Sequence, residues 1–151
     1  MMTPIRLLTL VLAVTVLAWS THQILRQLHR RQLRRLAVQW RMGYAERDLF
    51  NLAARITPQL PVPAAADLRV LDLLYASEGN HHRYVFTVEY TRGIISSHRR
   101  ERRVMTFCEP RDTAAQCPSP LVPAPEQLTI LDQYRHLHDH NFALSNPRSS
   151  P

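Results

Sequence analysis

The chain is poor in the residues that most reaction chemistry needs. Its three glycines, Gly43, Gly79 and Gly93, stand far apart and form no phosphate-cradling loop. Its two cysteines, Cys108 and Cys117, make neither a C-x-x-C motif nor, with a third ligand, a metal site. No serine sits on a strand–turn–helix elbow, and no cysteine–histidine pair has a recognisable catalytic context. The carboxylates Asp72, Glu78 and Glu89 are spread over strand-like segments without converging. These absences argue against hydrolase or transferase activity. The chain is expected not to be an enzyme and to carry no cofactor. Strands and helices do not alternate, which excludes a parallel sheet of βαβ units.

Acid is missing from the first 45 residues, which hold seven arginines (Arg6, Arg26, Arg30, Arg31, Arg34, Arg35 and Arg41). Residues 46–151 hold twelve arginines and twelve carboxylates, so the whole formal charge of +7 lies in the first third. Such an asymmetry points to a basic segment facing an anionic surface. No aromatics interleave with the arginines and no binding motif appears, so nucleic acid is not the expected partner. A lipid bilayer is, together with an unidentified protein that the remaining module would bind. The chain length of 151 residues suits one small domain with an appendage.

What is present before the arginines is an apolar run, "LLTLVLAVTVLAW" at 7–19, preceded by Arg6. Two readings of residues 1–25 fit it. As a signal peptide, Leu7–Leu17 is the h-region and "VLA" at 16–18 offers small residues for cleavage. As a membrane anchor, the span runs from about Leu7 to Leu25, close to the roughly 20 residues a spanning helix needs. Trp19 is then the interfacial aromatic, and Arg6 snorkels at the other end. Six arginines follow the run and only Arg6 precedes it, which by the positive-inside rule places the bulk of the chain inside. The anchor reading makes this a single-pass membrane protein; the signal reading makes it a secreted one.

Residues 26–56 read as an arginine-rich amphipathic helix, either continuous or broken near Gly43. Leu33, Leu36, Ala37, Trp40 and Tyr44 form its apolar stripe, with Arg26, Arg30, Arg34 and Arg41 opposite. Together with Arg31 and Arg35 these arginines are the candidate membrane-surface residues. A Pro/Ala linker at 57–66 separates the helix from a β module at 67–134. There "RYVFTVEYT" alternates best, with Tyr84, Phe86, Val88 and Tyr90 on one face. "DLRVLDLLYA", "ERRVMTFC" and "EQLTILDQY" supply further strands. The expected fold is α+β: a long amphipathic helix packed on a three- to four-stranded antiparallel meander.

Cys108 and Cys117 can close a loop disulfide, or both can be reduced; the disulfide would require an oxidising compartment. Residues 135–151 read as a flexible His/Pro/Ser tail. Its alternating His136, His138 and His140 would project to one side of an extended chain, which makes them weak candidate metal ligands beside the favoured reading of a solvated tail.

From Leu68 to Pro118 the pattern "LRVLDLLYASEGNHHRYVFTVEY…FCEPRDTAAQCP" resembles the cystatin superfamily, cathelicidin-type prodomains included. The resemblance implies a helix followed by antiparallel strands and a short cysteine-bounded loop. Two departures bear on activity. "YASEGN" stands where cystatins carry the inhibitory Q-x-V-x-G hairpin, and the Pro-Trp hairpin is missing, so protease inhibition is not implied. A nuclear-transport-factor-like α+β domain fits the same element order.

Overall fold

The structure, a computed structural model, describes residues 4–60, 66–92, 99–111 and 121–145. The fold is α+β. A 36-residue helix, α1 (Pro4–Gln39), precedes a short strand β1 (Gly43–Arg47) and a one-turn helix α2 (Leu52–Ile56), which runs on into a 3-10 turn. Three long strands follow: β2 (Ala66–Glu78), β3 (His81–Arg92) and β4 (Arg99–Pro110). A three-residue strand β5 (Leu121–Pro123) and a C-terminal helix α3 (Ile130–Ser145) complete the chain. Two compact units are distinguished, Met1–Leu36 and Ala37–Pro151.

The arginine-rich helix is shorter than its periodicity suggests. It ends where the Met42 N–H reaches the Ala37 carbonyl at 2.8 Å and the Arg41 N–H reaches Val38 at 3.1 Å, the pair of bonds of a Schellman motif. Arg41 occupies the left-handed position usually held by glycine, with φ 56°. Tyr44, which continued the apolar stripe on paper, lies in β1 instead. Gly43 faces Tyr75 across the β1–β2 ladder, and a side chain there would run into the Tyr75 ring. That close approach, rather than any helix, is why glycine stands at 43. Asp48 then starts α2, its carboxylate accepting from the Leu52 and Ala53 N–H groups at 2.9 Å each.

The sheet is an antiparallel meander in the order β1-β2-β3-β4-β5. The three long strands are those expected; the two short edge strands, which lack an alternating pattern, were not. β2 carries two register shifts, with Asp67 and Asp72 at φ 53° and 51°. Both are β-bulges, which bend the strand and raise its twist.

The alternation of β3 sorts the core into two faces. Tyr84, Phe86, Val88 and Tyr90 are all buried, and Phe86 and Tyr84 stand opposite Met105 and Phe107. Leu52 and Ile56 of α2 join this cluster, so the short helix is part of its cover. The other face presents Val85, Thr87 and Glu89 beside Val104 and Thr106. It is met by α3 through Gln133, Tyr134 and Leu137, all buried.

The last third of the chain differs most from expectation. Residues 130–134 are helical rather than a strand, and the helix continues to Ser145, so 135–145 are not a loose tail. Thr129 caps it: the Thr129 hydroxyl accepts from the Asp132 N–H at 3.3 Å and donates to the Asp132 carboxylate at 2.6 Å. The same hydroxyl, with Arg135, holds the Asp132 carboxyl below the usual carboxylate range.

Candidate membrane helix and charged sheet edge

Between Arg6 and Arg26 lie only uncharged residues, all within α1. Twenty helical positions rise about 30 Å, the thickness of a bilayer's hydrocarbon core. Side chains from Pro4 to Trp19 are exposed without exception, including Leu8 and Leu17 at 69% and Trp19 at 65%. Mean hydropathy reaches 1.7 over an 18-residue window, none of it buried. The hydroxyls in this run are satisfied from within: Thr9, Thr15 and Thr21 each donate to the carbonyl four residues earlier, at 2.7, 2.8 and 2.8 Å. The helix is therefore long and apolar enough to span a membrane or to act as a signal sequence.

Five of the six candidate surface arginines lie on α1. At about 100° per residue, Arg26, Arg30 and Arg34 form one column and Arg31 and Arg35 a second. The expected separation from the apolar stripe fails in detail. Arg26 and Arg30 stand within about 20° of Ala37 on the helix wheel, so they share its side instead of opposing it. The apolar residues opposite that column are Leu25 and Leu28, which are exposed. Arg41, in its left-handed turn, is off the helix altogether.

The histidines are not arranged as an extended chain would arrange them. In α3, His136 and His138 are two residues apart and point about 160° away from each other. His138 stacks on Trp40 with ring centroids 4.0 Å apart and an interplanar angle of 11°, and its Nδ1 lies 3.2 Å from the Asp139 carboxylate. The His140 side chain is outside the described residues. Among the described residues no three metal-ligating side chains gather. Cys108 is half-buried on β4 opposite Arg83, while Cys117 lies outside the described residues. His81 and His82 begin β3.

Two polar groupings were not foreseen. At the β2 bulge, Tyr134 donates its hydroxyl proton to the Asp72 carbonyl at 2.6 Å. A phenol has one proton, so in its 2.9 Å bond with Thr87 it is the threonine that donates. The Asp72 carboxylate accepts from Tyr44 at 2.8 Å. This network ties α3, β1 and the bulge together, and complete burial pushes the Tyr134 phenol well above its ordinary pKa. The second grouping surrounds Glu89, which is 7% exposed and accepts from Arg102 Nε at 2.6 Å, with Arg100 at 3.6 Å. Nearby, Tyr90 donates to Glu101 at 3.0 Å and Arg103 pairs with Glu126. The alternation of "RRERR" at 99–103 with the "VEY" of β3 is the signal that carried it.

No protein-family model, curated protein or solved structure matches this chain.

Proposed function

We infer that the chain is a non-enzymatic, single-pass membrane protein whose small α+β domain serves as an interaction or assembly module. One observation carries this: a continuous helix with an uncharged stretch as long as a bilayer is thick, every side chain of it uncovered from Pro4 to Trp19. Exposing that much aliphatic surface to water is costly, at about 25 cal/mol per Å², and lipid removes the cost. Arg6 and Arg26 bracket the stretch at the two headgroup levels. The arginines beyond it add attraction to anionic lipid, about 1 kcal/mol each near the surface. Their excess over the single Arg6 orients the folded domain to the inner side.

Amino-terminal sequencing of the purified protein tests the reading. An intact Met1 or Met2 is expected. A mature end near Trp19 or Thr21 would make the apolar run a cleaved leader and the domain a secreted, cystatin-like one.

A further inference from the structure

Among the described residues, the edge of β4 is open over part of its length. Val104 directs both backbone groups away from β3: its carbonyl accepts from the Ala124 N–H at 2.9 Å, and its N–H donates to Gln133 Oε1 at 3.3 Å. Backbone direction alternates along a strand, so the N–H and C=O of Arg102 and Arg100 point the same way. Pairing with β5 covers only Met105 to Phe107, and after Ala124 the chain leaves the sheet for α3. A cleft of about 420 Å³ lies along this line, where three arginines (Arg100, Arg102 and Arg103) outnumber two carboxylates (Glu101 and Glu126).

The charge of this edge selects among occupants. Residues 92–103 hold five arginines and one carboxylate, Glu101, in a domain that is otherwise acid-rich. On the Glu89 face, Arg69, Arg100 and Arg102 share two carboxylates, Asp67 and Glu89. Arg100 is 63% exposed and its carboxylate contacts are loose, at 3.6 and 3.9 Å. Arginines along an edge repel an identical edge and so discourage pairing with a second copy. Alternate guanidiniums about 7 Å apart match alternate carboxylates on an extended strand. A lipid surface would use the charge but not the backbone groups.

We propose that the β4 edge at Arg100 and Arg102 receives an extended acidic segment of a partner protein as an added strand, continuing the line of β5. Backbone hydrogen bonds supply the affinity, and the arginines select carboxylates at alternate positions. This rests on the sheet domain being an interaction module and is independent of whether the apolar helix is retained.

The test uses the full chain in phosphatidylcholine nanodiscs and a capped octapeptide of alternating glutamate and threonine. With saturating peptide, hydrogen exchange at Arg100 and Arg102 should slow at least tenfold while residues 121–124 change little. Arg100→Gln, which leaves Arg102 on Glu89, should weaken binding several-fold. The same peptide N-methylated at alternate residues should bind at least tenfold more weakly, and this control leaves the protein unaltered. Three results would overturn the proposal: no slowing at 99–103 with 1 mM peptide, equal binding of the N-methylated peptide, or the same slowing produced by phosphatidylserine vesicles alone. Protection elsewhere on the sheet would remove this edge but keep the interaction module. An intact amino terminus bears only on the anchor.

Discussion

Removing one oxygen from the domain tests how the bulge holds the C-terminal helix. Tyr134→Phe deletes a hydroxyl that donates to the Asp72 carbonyl at 2.6 Å and accepts from Thr87 at 2.9 Å. Tyr134 is 0% exposed and Thr87 3% exposed, so water cannot easily replace the lost partner. A buried polar group left unsatisfied costs about 1–3 kcal/mol. Two such groups, offset by no longer burying the phenol oxygen, give about 2–3 kcal/mol. The unit Ala37–Pro151 should be stable by about 6–17 kcal/mol at typical per-residue values, so the loss is a large fraction. Thermal melts of the full chain in detergent micelles, followed by circular dichroism, should fall by about 6–15 °C. The variant should also respond differently to alkali. A folded-state phenol pKa above the unfolded value near 10 means that, above pH 10, the unfolded chain releases a proton that the folded one keeps. Stability from this group is full below pH 10 and declines as pH rises, by up to about 1.4 kcal/mol per pH unit. The chain has no lysine to add to this slope. Tyr134→Phe should flatten the decline. A variant that melts within 2 °C of the parent, or shows the same alkaline slope, refutes the reasoning.

Phe86→Ala, at a 0% exposed site opposite Met105, should cost about 3–5 kcal/mol, read from urea unfolding; a midpoint unchanged from the parent would show that this face is not the core. Gly43→Ala should destabilise because its methyl meets the Tyr75 ring, and Gly43→Ala combined with Tyr75→Ala should recover part of the loss, which a double-mutant cycle measures. Replacing Arg30, Arg31, Arg34 and Arg35 by glutamine should loosen attachment to anionic vesicles or reverse topology while the sheet signal in circular dichroism stays. Unchanged vesicle binding and topology would remove these arginines from the account.

The long strands and the apolar helix were legible because their patterns are one-dimensional. Tyr84, Phe86, Val88 and Tyr90 alternate, and an uncovered aliphatic run needs no partner to be recognised. The end of α1 was not legible, because a left-handed residue that is neither glycine nor asparagine gives no sequence signal, and Trp40 and Tyr44 happened to prolong the helical period. β1 and β5 are too short to alternate, and their pairing is set by Gly43 and by the line of β4. The C-terminal helix could have been read. "TILD" at 129–132 carries a capping-box spacing, and Ile130, Tyr134 and Leu137 recur at helical intervals. The alternating histidines drew attention to an extended chain, whereas Tyr134 and Leu137 are buried on the sheet. The Asp72 network could not be foreseen, since a bulge brings together residues 44, 72, 87 and 134 that only tertiary pairing relates.

Alkaline carbonate extraction of membranes from cells making the full chain tests the central claim most directly. A protein held by the Leu7–Leu25 stretch stays in the pellet at pH 11, where charge-based attachment and soluble proteins are released. Recovery of the chain in the supernatant would contradict the anchor and with it the account of the first third of the sequence.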